Sequence, residues 1–308
     1  MEVDLFVRHP QNPLITARDI PYQVNTVFNA GVVDMGSEVL LLLRVESTSG
    51  RSHITLARSP DGIRQWQIDS QAFMHPGDGY PYEEYGIEDC RVTAVEGIDG
   101  WLLAYTAYSP HGPAIGLAQT KDFLRIQRLG LAYPPNNKDA ALFPKRFNGL
   151  YAMLHRPSAA GGSIWIGYSP DLRFWGKSEA VLPPRGGPWW DGSRVGAGLP
   201  PIETEEGWLM IYHGVKEMPS GPIYRVGAAL LDLEEPHKLI AKTRRWVLSP
   251  QEPYERTGDV PNVIFPCGGF VRGDQLWMYY GAADSSICLA TASISELLEK
   301  IRRESEEG

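Results

Sequence analysis

Cysteine is scarce in this chain, and what there is excludes two common classes. Cys90, Cys267 and Cys288 are odd in number and scattered, with no CxxC pair. They suit a reducing compartment better than a disulfide framework or a zinc site, and read as inert, partly buried thiols. No HExxH or clustered His/Cys pattern is present, so no metal is expected. No apolar run approaches the ~18–20 residues that span a bilayer, and the opening Met1–Arg8 lacks the basic and apolar regions of a secretory signal. Positive charge is also in deficit: 29 Lys and Arg against 37 Asp and Glu give a net charge of −8. That balance argues against nucleic acid or an anionic membrane as a partner, while leaving room for a local basic pocket. The expectation is a cytoplasmic protein acting on small molecules, with homo-oligomerisation left open.

Helical patterning is nearly absent too; only Ser293 to Ser305 has it. The chain instead carries 32 Gly, 25 Pro and short apolar runs, which are strand and turn signals. One phrase recurs: alternating apolar residues, a small residue, Ser or Thr, then Asp, then an aromatic or apolar residue. It reads Ile54–Gly62, Ile115–Phe123 and Ile164–Leu172, with weaker copies at Val226–Asp232 and Ile287–Ser293. A short apolar strand precedes each copy: Val39–Val45, Trp101–Tyr108, Tyr151–His155, Trp208–His213 and Leu276–Tyr280. Another precedes that one: Phe28–Asp34, Asp89–Val95, Ala140–Phe147, Gly198–Glu203 and Val263–Val271. Units of roughly 50–60 residues with this order fit propeller blades of four strands. The expected fold is all-β: a five-bladed β-propeller with a short C-terminal helix, forming a single domain over residues 1–308. A β-sandwich with accidentally similar hairpins is the competing reading, and the constant order of strands and turn weighs against it.

In a propeller, polar residues that start the first strands or end the second strands of the blades face one central cavity. The first set is Asn29, Asp89, Lys138-Asp139, Arg194 and Asn262; the second is Arg44, Tyr108, His155-Arg156, His213 and Asp284. Arg44, Lys138, Arg156, Arg194 and His213 would repel one another unless an anion sat among them, and a phosphate suits such a set. Singly, each has an ordinary structural explanation. Asp89 can donate a proton if burial raises its pKa, although Arg91 pulls the other way, and it could equally cap a turn. Strand alternation sends Glu88 to the opposite face. One carboxyl group at the right depth, with Asp139 and Asp284 as weaker second candidates, fits attack by phosphate better than hydrolysis by paired carboxylates. Tyr85, Tyr108, Trp189, Trp190 and Tyr224 could stack on sugar rings.

With these residues in place the sequence resembles glycoside hydrolase family 130, the β-mannoside phosphorylases of the five-bladed propeller clan. The likeness runs from Asn12-Pro13-Leu14-Ile15 through Val260–Gly268 to Tyr279–Asp284. It implies inverting phosphorolysis of β-1,2- or β-1,4-mannosides to α-mannose 1-phosphate and a shortened sugar. Inorganic phosphate would be co-substrate, with no cofactor. Asp89 would be the general acid of the family's E-D-P-R motif, acting through the mannosyl 3-hydroxyl. Lys138, Arg156, Arg194, His213 and Tyr224 would bind phosphate; Asn29, Arg44, Arg58, Arg91, Asp139 and Asp284 would surround the mannosyl unit. Cys90 stands where the family usually has Pro, which should leave that loop less rigid. Lys138-Asp139 looks like the β-1,2 branch, whereas Leu142-Phe143-Pro144 and Ile202-Glu203-Thr204 look like the β-1,4 branch. A water-using mannosidase and a non-catalytic sugar-binding propeller are the alternatives.

Overall fold

The computed structural model describes residues 4–77, 79–159 and 161–306. After β1 (Val7–Arg8) and β2 (Ile15–Thr16), strands follow in antiparallel meanders. The first is β3 (Thr26–Asp34), β4 (Val39–Glu46), β5 (Ser52–Ser59) and β6 (Gln67–Ile68). The second is β7 (Gly86–Thr93), β8 (Trp101–Ser109), β9 (Gly112–Thr120) and β10 (Gln127–Tyr133). The third is β11 (Asn137–Leu142), β12 (Tyr151–Pro157), β13 (Ile164–Ser169) and β14 (Gly176–Leu182). The fourth has β15 (Arg194–Ala197), β16 (Ile202–Thr204), β17 (Gly207–Lys216), β18 (Ile223–Leu231) and β19 (Leu239–Lys242). A short helix α1 (Pro253–Arg256) precedes the fifth: β20 (Ile264–Arg272), β21 (Gln275–Ala282) and β22 (Ser286–Ser293). Helix α2 (Ile294–Glu306) ends the described chain. A single parallel pairing, Ser52 with Gly86, merges the first two meanders into one sheet.

The apolar runs are near-continuous because each meander is packed on both faces. Along β4, Leu41 and Leu43 join a core with Tyr279 and Leu289 of the fifth meander. Leu40 and Leu42 point the other way, to a core with Leu103 and Tyr105 of the second. The same alternation pairs the second meander with the third (Leu102, Leu117 against Leu142, Met153) and the third with the fourth (Leu154, Ile166 against Trp208, Met210). Leu209 and Ile211 then meet Met278 and Tyr280, so each meander has two neighbours and the last packs against the first. The N-terminus completes this arrangement: β1 and β2 take the outer position of the fifth meander, with Val7 opposite Thr291 and Ile15 opposite Ile287.

The recurring Ser/Thr-x-Asp phrase is a turn with a definite hydrogen-bond pattern. Ser59, Thr120 and Ser169 accept the N–H three residues on, while Asp61, Asp122 and Asp171 accept the next two. Asp232 repeats the second half. In the last copy, Ser293 accepts the N–H of Glu296 and starts α2. One expected strand differs. Of Gly198–Glu203 only Ile202 and Glu203 are in a strand, β16, while the longer pairing with β17 begins earlier, in β15 at Arg194–Ala197; Pro200 and Pro201, between the two, have no N–H for the ladder.

Candidate functional site

The first strands reach their common cavity through a repeated distortion. Asn29, Asp89 and Asp139 have φ of 50°, 51° and 57°, and each coincides with a register shift against the next strand. Asn and Asp tolerate this left-handed conformation better than other side-chain-bearing residues, and a small residue follows each of them (Ala30, Cys90, Ala140). The bulge suspends alternation, so consecutive side chains can face the same way. Glu88, expected to point away, therefore lines the cavity beside Asp89, and Lys138 does so beside Asp139.

The cavity is about 260 Å³. It brings together Asn29, Arg44, Glu88, Asp89, Lys138, Asp139, Arg156, His213, Tyr224 and Asp284, with Val260, Val263 and Phe265 as an apolar wall. Arg44 organises one side. Its Nε donates to Ser52 Oγ at 2.9 Å, its Nη1 to Asp89 Oδ1 at 2.9 Å and its Nη2 to Glu88 Oε1 at 3.0 Å. Asn29 Nδ2 also donates to Asp89 Oδ1, at 2.8 Å, and Lys138 Nζ to Glu88 Oε2 at 3.3 Å. Opposite, Arg156 Nε donates to Asp139 Oδ2 at 2.6 Å, and His213 Nε2 lies 3.6 Å from the same oxygen. Arg156 Nη1 and Nη2 have no partner among the described residues. Gly196 makes this corner possible, since a Cβ there would collide with Asp139 Oδ2 and the His213 ring.

The expected ring of unpaired cations is corrected by these contacts. Arg44 and Lys138 share Glu88, Arg156 is paired to Asp139, and His213 is not a cation. Burial, with Arg156, Arg91 and Arg194 nearby, outweighs Asp139 and lowers the His213 pKa to about 3, so the ring is neutral near neutral pH. Burial alone would raise the Asp89 carboxyl, but Arg44, Arg91, Lys138 and the Asn29 hydrogen bond bring it below its ordinary value. Burial would raise Asp139 too, but Arg156 and Arg91 hold it well down. Asp284 goes the other way. Burial, with repulsion from Asp89, Asp259 and Glu88, outweighs Arg44 and raises it to about 7.

Several expected site residues lie elsewhere. Arg58 pairs with Asp69 at 3.1 Å and Glu38 at 4.0 Å on the outer part of the first meander, and does not reach the cavity. Arg91 is buried behind it, where its guanidinium donates to the carbonyls of Asp89, Ala197 and Gly198 and ties the second meander to the fourth. Arg194 stands outside the lining, bonded to Glu217 and, at 2.7 Å, to the hydroxyl of Tyr224. His155 packs under Tyr133 and bonds to Asn137, away from the cavity. Tyr85 and Tyr108 pack edge to face on the exposed surface. Asn262 is held through its carbonyl, which accepts the N–H of Tyr224. Cys90 is not in a loop at all: it is fully buried inside β7, as Cys267 is in β20 and Cys288 in β22. Among the described residues no three His, Cys, Asp or Glu side chains gather as a metal site needs, and no helix is long and apolar enough to cross a membrane.

Known proteins resemble this chain along nearly its whole length. The family described as β-1,4-mannooligosaccharide phosphorylase, glycoside hydrolase family 130, matches residues 4–303. A β-1,2-mannobiose phosphorylase of Listeria innocua is 36% identical over 96% of this chain and 98% of its own length. A β-1,4-mannooligosaccharide phosphorylase of Ruminococcus albus is 35% identical over 98% of this chain and 92% of its own. A solved structure of the Listeria innocua β-1,2-mannobiose phosphorylase, in complex with β-1,2-mannobiose, superposes with a TM-score of 0.89 at 35% identity. It covers 97% of this chain and 99% of that one.

Proposed function

Because the chain belongs to glycoside hydrolase family 130, we propose that it is a β-mannoside phosphorylase whose chemistry takes place in the cavity of Asp89 and Arg156. It phosphorolyses β-mannosides. In this reading the five meanders are the blades of one five-bladed propeller domain, the protein is cytoplasmic, and inorganic phosphate is the only co-substrate.

The observation that carries the site assignment is the sharing of one cavity by a buried acid and an arginine whose two terminal nitrogens are unengaged among the described residues. Arg156 is fixed through Nε, so its Nη1 and Nη2 can hold two phosphate oxygens, the geometry that guanidinium favours. Lys138 adds a point charge, His213 a neutral N–H, and Tyr224 with Arg194 closes the rim. Asn29, Arg44, Asp139 and Asp284 surround the mannosyl unit. A phosphate oxygen attacks the anomeric carbon from the face opposite the leaving sugar, and the bond to the glycosidic oxygen breaks. The mannosyl 3-hydroxyl gives its proton to that oxygen and is reprotonated by Asp89, so α-mannose 1-phosphate and a shortened sugar leave. Phosphate arriving near Arg156 and Lys138 offsets the cations that keep Asp89 ionised, which favours proton uptake by Asp89 as the complex assembles.

One observation favours hydrolysis as a second reading. Asp284 is a carboxyl without an ion-pair partner among the described residues, and its proton affinity near neutrality suits a base for water. A panel of β-1,2- and β-1,4-mannobiose, incubated with and without phosphate, separates the two and reads the linkage. Phosphorolysis predicts consumption only with phosphate and release of a sugar phosphate. Equal consumption without phosphate, with free mannose released, would support the hydrolase.

A further inference from the structure

Trp189 and Trp190, expected among the sugar-stacking aromatics, line a different cavity of about 390 Å³. It lies against the β17–β18 hairpin, on the other face from the site just described. Tyr224 lines the central cavity, while its strand neighbours Ile223 and Arg225 line this one. Trp246 and Lys216 complete the part that matters here, together with Arg244.

Its chemistry is unusual for a chain of net charge −8. Lys216, Arg225 and Arg244 are among its lining, and among the described residues no carboxylate lines it. Among the described residues neither Arg225 nor Arg244 has a carboxylate partner. Arg225 is half-buried, and among the described residues only its Nε is hydrogen-bonded, to Ser249 Oγ at 3.0 Å. Burial lowers its pKa against the opposing pull of Asp4. The guanidinium of Arg225 lies 4.6 Å over the Trp246 ring, and that of Arg244 5.6 Å from the Trp189 ring. Flat apolar faces and unpaired guanidinium donors therefore converge on one hollow. A ring-bearing phosphate monoester matches both halves: the C–H face of a sugar ring covers indole, and the phosphate takes the guanidinium N–H groups.

We infer that this cavity is a second, non-catalytic site for a phosphorylated sugar. The inference rests on the phosphorylase reading for the identity of that sugar, since a sugar 1-phosphate is then the product released on the far side of the same hairpin. A product bound here presses on the strand that carries Tyr224, and links product level to the rim of the central cavity.

Calorimetric titration of the full chain with α-mannose 1-phosphate tests it, using Arg225→Gln/Arg244→Gln and, separately, Arg156→Ala. The expected result is a binding event lost or weakened by about tenfold or more in the double variant but retained in Arg156→Ala. Trp189→Ala, at an exposed ring, should weaken the same event. Mannobiose phosphorolysis at saturating phosphate should stay within about twofold of wild type in these cavity variants, which also reports that they fold. Binding by the double variant and Trp189→Ala indistinguishable from wild type would overturn the site. If wild type instead shows no phosphorolysis, the reading of the central cavity fails, while an event sensitive to Arg225 and Arg244 would still establish this one. Titration with inorganic phosphate and with methyl α-mannoside separates the two halves of the ligand. Binding of the neutral sugar as tight as that of the phosphate ester would contradict the charge argument.

Discussion

Asp89 shows how neighbours set the working state of a single carboxyl. It accepts hydrogen bonds from Asn29 and Arg44, and nearby cations hold its pKa below the ordinary carboxylate value. Asp89→Asn preserves volume and the Oδ1 acceptor but removes the transferable proton. Phosphorolysis should fall by about 10²–10⁴ with the fold intact; near-normal turnover measured with mannobiose and phosphate would remove Asp89 from the mechanism. Asp284 makes a prediction of opposite sign about stability. Its folded pKa of about 7 lies above the ordinary value, so the folded protein holds the proton more tightly than the unfolded chain. That contribution is fully present at acid pH and is lost as pH rises toward and through about 7. Asp284→Asn, which cannot ionise, should therefore raise the melting temperature by a few degrees at pH 8 and do little at pH 4. An equal effect at both pH values would contradict the assignment. None of this was legible in the residue list alone. That Arg44, Lys138 and His213 would share one cavity was readable, but not that Glu88 and Asp139 would pair with the cations there.

The β-bulge is the element on which the site depends. Strand alternation, applied from the sequence, placed Glu88 on the wrong face because it assumed an unbroken ladder. The signal was present in Asn29-Ala30, Asp89-Cys90 and Asp139-Ala140: a residue that accepts positive φ followed by a small one, at the same place in successive repeats. In the fourth meander the first strand keeps its register, and Gly196, opposite His213, leaves room for the contact between Asp139 and His213. Gly196→Ala should displace Asp139, free the Arg156 Nε and misaim its terminal nitrogens. The Michaelis constant for phosphate should rise by about tenfold or more, the scale of one charge-assisted hydrogen bond. Initial rates against phosphate at saturating mannobiose check this, and unchanged phosphate kinetics would mean that Arg156 needs no such anchor. Arg58 lies away from the cavity for a reason at the same scale. It sits near the end of β5, where half-buried Asp69 and Glu38 hold it.

At the scale of the molecule, the repeated order of strands and the Ser/Thr-x-Asp turn made the meanders readable, and the described strands fall within a few residues of the expected ones. Closure was not readable. Val7–Arg8 and Ile15–Thr16 are too short to announce themselves, yet they pair with β22 at the other end of the chain. Arg8 locks that junction, donating to Glu255, Asp4 and the carbonyl of Ser249. Arg8→Ala would leave the fully buried Glu255 without its cation, at a cost of about 3 kcal/mol. A melting temperature lower by several degrees is expected; an unchanged one would show that closure does not depend on this pair. The central claim, that one cavity directs phosphate onto the anomeric carbon with inversion, is tested most directly by the first product formed. Proton and phosphorus NMR of the purified protein with its preferred mannobiose and phosphate should show α-mannose 1-phosphate appearing in step with loss of inorganic phosphate. The β-anomer formed first, or free mannose with phosphate unconsumed, would contradict it.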